Sequence, residues 1–149
     1  MTLESLFLDA NVLFSAARSR KGRASALVSL AGKESCEILT SPHAVEEARR
    51  NVRLKYPESE RELERVLALV RLVPEAGSEA YETSLSFGLP PKDAPILGAA
   101  LQAGAGALVT GDARHFGHLY GEKARETRIL NLADALDALL PDDCSPCNS

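Results

Sequence analysis

Apolar residues come in two rhythms along this chain, short unbroken runs and longer stretches at helical spacing, and the two alternate from end to end. Leu6-Phe7-Leu8 is a run that stops at Asp9 and predicts a first strand. Ala24, Leu27, Val28 and Ala31 then share one helical stripe, predicting a helix over 23–33. Cys36 to Thr40 reads as a second strand. Ser41 is a good N-cap and Pro42 suits the first helical position, so a helix opens there. Residues 58–72 are strongly periodic, with Leu63, Val66, Leu67 and Val70 on one stripe and a short strand near Leu72 and Val73. A modest helix over 79–87 follows. The next, over 92–103, keeps Pro95 in its first turn, where a missing N–H is harmless. Ala107 to Thr110 is a strand broken by Gly111, residues 128–130 are the last strand, and Asn131 begins a final helix that Pro141 ends.

Strands alternating with helices imply parallel strands joined by right-handed crossovers, hence an α/β fold: a three-layer α/β/α sandwich around a mainly parallel sheet. One domain over residues 1–140 is expected, with 141–149 as a flexible tail. In such sheets chemistry collects outside the carboxyl ends of the strands, where the strand order reverses. The 149 residues are 45% hydrophobic and 5% aromatic with no Trp, so Leu, Val, Ile and Ala must build the core. No apolar run approaches the roughly 20 residues of a membrane helix. The start, MTLESLFLDAN, has no basic residue before its apolar run, unlike a signal peptide. A soluble cytoplasmic protein is the expectation. Cys36 reads as a small buried hydrophobe. Cys144 and Cys147 form a lone C-x-x-C with no second pair to complete a zinc site. A net charge of −4 argues against a non-specific nucleic-acid coat, though not against local basic residues around an acidic centre.

The carboxylates carry the candidate chemistry. Asp9 and Asp112 each follow a strand, and each reads either as a helix cap or as one of two acids converging from neighbouring strands. Glu46 shares its face with Arg49, Arg50 and Arg53, as a solvated, salt-bridged residue would. Glu47 shares its face with Ala44, Ala48 and Asn51 and so borders the buried side. Asp93 opens a helix, where the dipole favours an acid, yet its same-face neighbours are Ile96, Leu97 and Ala100. Two like charges about 4 Å apart cost on the order of 4 kcal/mol at an effective dielectric of 20. Four converging acids would therefore need a cation, and all-oxygen ligands suit Mg²⁺ or Mn²⁺ rather than zinc.

In sequence order, LFLDANVLFSA, SPHAVEEARRNV and KDAPILGAALQAGAGALVTGDARHF resemble PIN domains, especially their toxin-like bacterial and archaeal branch. The resemblance rests on Asp9 with Asn11, Ser41 with Glu47, Asp93 with Ile96 and Ala99-Ala100, and Thr110 with Asp112, over about residues 5 to 135. The chain departs from it at Ala48, where Leu is commoner, and over 113–115, where many relatives place another acid. The resemblance implies hydrolysis of RNA phosphodiesters by one or two Mg²⁺ or Mn²⁺ ions, leaving 5′-phosphate and 3′-hydroxyl ends. Asp9, Asp93 and Asp112 would hold the metal, with Glu47 direct or through water. Asn11 and Thr110 would orient ligands, or serve only as turn and cap residues. It also implies a homodimer and, in the toxin branch, an antitoxin protein that occupies the cleft.

RNA must meet cations. Arg18, Arg20, Lys21 and Arg23 form a basic run that reads equally as RNA contact or as a solvated loop, whereas Lys92, Arg114 and His115 neighbour Asp93 and Asp112 in sequence. No histidine is assigned as nucleophile or base. The small residues from Gly98 to Gly106 fit either close core packing or a dimer interface. The alternative is a PIN-fold module that binds RNA or protein without cutting. A phosphatase would want a second Asp where Asn11 stands, and a receiver domain would want a pair of acids after its first strand and a Lys after its last.

Overall fold

A computed structural model describes residues 3–140. The tail with Cys144 and Cys147 lies outside the described residues. Six strands form one sheet: β1 (Ser5–Leu8), β2 (Glu37–Thr40), β3 (Arg71–Leu72), β4 (Ala107–Val109), β5 (Lys123–Ala124) and β6 (Thr127–Leu130). Their spatial order is β3-β2-β1-β4-β6-β5, parallel throughout except for β5 against β6. Successive strand residues point to opposite faces. Leu6, Phe7 and Leu8 are nevertheless all fully buried, as are Ala107, Leu108 and Val109, so helices must cover both faces. This is the expected three-layer α/β architecture. No helix among the described residues is long and apolar enough to cross a membrane.

The helices are α1 (Ala10–Arg18), α2 (Arg23–Lys33), α3 (Pro42–Lys55), α4 (Glu60–Leu67), α5 (Ser78–Leu85), α6 (Ala94–Gln102), α7 (Ala113–Phe116) and α8 (Leu132–Leu139). Ser41 caps α3 by accepting from the Ala44 N–H, and Asn131 caps α8 by accepting from the Asp134 N–H, as expected. Three expectations need correction. The periodic stretch 58–72 is helical only through Leu67, and Val70 lies beyond the helix, because the chain must straighten to lay β3 beside β2. The helix expected over 92–103 begins at Ala94. Glu46 is exposed, but its presumed partners turn elsewhere: Arg49 pairs with Glu64 at 2.8 Å and Arg53 with Glu60 at 4.0 Å, both on α4.

The small-residue helix is core. Every residue of α6 from Ile96 to Leu101 is buried, and a Cβ on Gly98 would sit 2.7 Å from the Ala76 Cβ. Glycine is what lets α6 approach the segment leading into α5.

The strand order locates the crevice. From β1 the sheet grows outward through β2 to β3, and the chain then returns to the other side of β1 for β4. The order therefore reverses between β1 and β4, so the gap outside their carboxyl ends is where a ligand site is expected.

Candidate active site

Asp9 leaves β1 beside the end of β4. The register sets Leu8 against Val109, and the Asp9 N–H donates to the Val109 carbonyl at 3.1 Å. The next residue on each strand then meets its counterpart: the Thr110 hydroxyl donates to Asp9 Oδ2 at 2.7 Å. Asp9 Oδ1 accepts from the Ala10 N–H at 2.6 Å, so Asp9 also caps α1. Capping and facing the crevice are compatible, since a carboxylate has two oxygens.

Thr110 ties the centre together. Its oxygen accepts from the Asp112 N–H at 3.1 Å and from Asn11 Nδ2 at 3.4 Å. Asn11 crosses between the two strand ends, accepting from the Gly111 N–H at 2.8 Å while its Nδ2 reaches Asp9 Oδ2 at 3.4 Å. The Tyr120 hydroxyl donates to the Thr110 carbonyl at 2.8 Å, bracing the same turn from α7's far side. Asn11 and Thr110 thus contact the Asp9 carboxylate directly, while at Asp112 Thr110 holds only the backbone N–H.

Asp93 occupies the N-cap position of α6 and spends no side-chain bond on it. The local sequence explains why. The Ala94 N–H is taken by the Pro90 carbonyl at 3.1 Å, Pro95 has no N–H, and the Ile96 N–H bonds the backbone oxygen of Asp93 at 3.1 Å. The carboxylate is left free for the crevice. There, His115 Nδ1 lies 2.9 Å from Asp112 Oδ2 and 3.2 Å from Asp93 Oδ2. The second approach is an ion-pair distance without hydrogen-bond alignment, so Asp93 Oδ2 is buried with no hydrogen-bond donor. An orphaned buried oxygen is costly and calls for an explanation, such as an ion. Asp93, Asp112 and His115 offer ligand atoms that all lie within 4.8 Å of one another.

Glu47 enters from α3, after β2 on the other side of β1. Its side chain is 44% exposed and stands 4.0 Å from His43 Nε2, one helical turn earlier. It is the outermost of the four acids, yet its charge still reaches Asp9.

The electrostatics follow first from burial and then from neighbouring charge. Burial pushes the Asp9 carboxyl up to about 6; the Thr110 and Ala10 hydrogen bonds oppose the rise, while the charges of Glu47 and Asp93 add to it. Asp93 is also raised, first by burial and then by Asp112, against the pull of His115, Lys92 and His43. Burial raises the Tyr120 hydroxyl, and the charges of Asp112 and Asp9 raise it further. Of the four sequence-predicted acids, Asp93 and Asp112 come together with His115, Asp9 is tied to the same strand ends through Thr110, and Glu47 stands apart beside His43, outside that cluster.

The predicted cations divide. Lys92 and Arg114 are exposed beside Asp93 and Asp112. Arg18 lies at the opposite end of α1 from Asp9, about 13 Å along a nine-residue helix, and stacks over Tyr56 at 4.6 Å. Arg20 pairs with Glu62 at 3.7 Å, and Lys21 is exposed beside it. Two clefts of about 350 and 380 Å³ lie along α4 and β3, lined by residues such as Val45, Val70 and Leu72, and contain none of the four acids. Sequence reasoning missed His43 and Tyr120, and named His115 only as a cation neighbouring Asp93 and Asp112. The two histidines carried a readable signal, standing three residues after Asp112 and four before Glu47.

The sequence model of the PIN domain matches residues 5–114. No curated protein sequence matches the chain. Several solved structures are similar. VapBC2 from Rickettsia felis, bound to a DNA fragment from its promoter, gives a TM-score of 0.64 at 17% identity, covering 85% of this chain and 98% of that one. PAE2754 from Pyrobaculum aerophilum gives 0.63 at 20% identity, covering 91% and 88%. VapC20 from Mycobacterium tuberculosis, a sarcin-ricin loop cleaving toxin, gives 0.50 at 14% identity, covering 69% and 86%. Identities this low speak for a shared fold.

Proposed function

Because the chain belongs to the PIN-domain family, we propose that it is a metal-dependent endoribonuclease, the toxin of a toxin–antitoxin pair. The observation that carries this reading is the cluster of Asp93 and Asp112 with His115 near the strand-order reversal, with Asp93 Oδ2 buried and lacking a donor and Asp9 buried on the adjoining strand end. A pure binding module has no use for that arrangement, which weakens the fold unless a cation is present.

The donor set fits a hard divalent ion. Asp9, Asp93 and Asp112 would hold Mg²⁺ or Mn²⁺, with Glu47 direct or through water. A bound ion of this kind supplies Lewis acidity, activating water and neutralising charge on the phosphoryl and leaving oxygens. The chain's own residues then have distinct work. Thr110 and Asn11 would hold the Asp9 carboxylate in orientation, as hydrogen-bonded partners of metal ligands do. Glu47, the most exposed acid, stands where solvent and substrate arrive. Lys92 and Arg114 would take phosphates next to the scissile one. Arg18, Arg20 and Lys21 would serve only a longer RNA, reaching the far end of α1.

The toxin assignment draws on the fold shared with VapBC2 and VapC20, and the expected partners are a cognate antitoxin and a second copy of the chain. The test is cleavage of a labelled RNA pool by purified protein with Mg²⁺, Mn²⁺ or EDTA, beside Asp93→Asn. Metal-dependent cutting absent from the variant, and growth arrest on inducing the wild type but not the variant, are the expected results. A folded wild type that neither cuts RNA nor binds a divalent ion would overturn the proposal.

A further inference from the structure

One corner of the carboxylate cluster is not an acid. His115 stands on the first turn of α7, and Asp112 engages it twice: Oδ1 accepts the His115 backbone N–H at 3.3 Å, and Oδ2 lies 2.9 Å from ring Nδ1. The same ring nitrogen is 3.2 Å from Asp93 Oδ2. Adjacent ligands around a six-coordinate ion, on arms of about 2.1–2.2 Å, lie about 3 Å apart. Both separations match that spacing.

We infer that His115 Nδ1 is itself a metal ligand beside Asp93 and Asp112, giving a mixed nitrogen–oxygen set that selects Mn²⁺ over Mg²⁺. This rests on the metal-dependent reading of the site proposed above.

Two further features carry the inference. A proton on Nδ1 can be aimed at only one acceptor, and the geometry gives it to Asp112, leaving Asp93 Oδ2 buried without a donor. An ion shared among the three atoms satisfies both carboxylates, with the ring proton on Nε2. The second is the capping division of labour: Oδ1 of Asp112 holds α7, which leaves Oδ2 for the cluster and locks His115 toward it. His43 does not compete for this role. Its side chain is 45% exposed, and its ring stands 4.0 Å from Glu47, which is outside the Asp93–Asp112–His115 cluster. Imidazole favours later first-row ions, whereas Mg²⁺ prefers oxygen and keeps its waters. Exchanging one carboxylate for one imidazole therefore costs Mg²⁺ more than Mn²⁺.

The experiment uses the full chain, stripped by chelator and loaded with one equivalent of Mn²⁺. Pulsed electron paramagnetic resonance should show modulation from a directly bound nitrogen that changes when histidine is labelled with ¹⁵N. The signal should persist in His43→Ala and vanish in His115→Ala. Calorimetry should show Mn²⁺ affinity falling at least about tenfold in His115→Ala, with Mg²⁺ affinity hardly changed. The labelled wild type gives its answer even if the variant folds poorly. Mn²⁺ that binds, depends on Asp93 and shows no nitrogen modulation would overturn the role of His115 while leaving the carboxylate site standing. A folded wild type that binds no Mn²⁺ would overturn both.

Discussion

Replacing Asp9 by Asn should stabilise the protein when metal is withheld and leave it at a disadvantage when metal is supplied. Asp9 is only 6% exposed, and its carboxyl is raised from the ordinary 3.8 to about 6. A raised carboxyl means that the folded chain binds the proton more tightly than the unfolded one. The associated stability is fully present below pH 3.8 and is lost as pH rises through about 6. Roughly two pH decades at about 1.4 kcal/mol each put the loss near 3 kcal/mol. The uncharged amide of the Asp9→Asn variant escapes that loss but disturbs the hydrogen bonds. Its oxygen can still accept the Ala10 N–H, while its NH₂ group meets a Thr110 hydroxyl that in the wild type donates to Asp9 and already accepts twice. Turning that hydroxyl costs about 1 kcal/mol. The net expectation in EDTA at pH 7.5 is a variant about 2 kcal/mol more stable than wild type, by the same values. At pH 4 the advantage should be gone. With Mn²⁺ at 100 times its dissociation constant the wild type should gain about 2.7 kcal/mol that the variant largely forgoes, reversing the order. Urea unfolding followed by circular dichroism, at the two pH values and with or without Mn²⁺, measures all of this. An Asp9→Asn protein no more stable than wild type in EDTA at pH 7.5, or a difference indifferent to pH, would contradict this account of Asp9.

Thr110→Val should leave Asp9 Oδ2 only the 3.4 Å Asn11 contact and strand the Asp112 N–H, costing about 1–3 kcal/mol in urea unfolding, while Thr110→Ser restores most of it. RNA cleavage should fall about 10–100-fold in the valine variant, as it does when ligand-orienting groups are lost. Gly98→Ala should destabilise by about 1–3 kcal/mol because its Cβ meets the Ala76 Cβ at 2.7 Å. Gly32→Ala, with nothing within 4 Å, should instead stabilise α2 by up to about 1 kcal/mol, so the pair separates packing from helix propensity in one melting experiment. Lys92→Ala and Arg114→Ala should each lower the slope of log RNA affinity against log salt by about 0.7, measured by fluorescence anisotropy. An unchanged slope would remove that residue from the RNA path.

Most strands and longer helices were legible in the chain alone, and the four acids could be named there as candidates, whereas the short α7 and β5 went unread. Strand runs, helical stripes and caps are local properties, so Leu6 to Leu8, Ser41-Pro42 and Asn131 could be read directly. The preference for Glu47 over Glu46 was drawn in the same way, because a helix assigns each residue a face. What stayed open depends on residues distant in the chain. The end of α4 is set by β3 pairing with β2, not by the periodicity that runs on to Val70. The arginines of α3 were drawn to Glu60 and Glu64 on α4 rather than to the nearby Glu46. Gly98 belongs to the core because α6 crosses close to Ala76, which no composition reveals. The site itself shows the division most clearly. Each acid was legible, but whether Asp9 and Asp112 were caps or partners hung on β4 returning to lie beside β1, a contact spanning about a hundred residues. Strand pairing made them both. It also brought His115 against Asp93, because the free α6 carboxylate and the first turn of α7 converge on one point only when the sheet has formed.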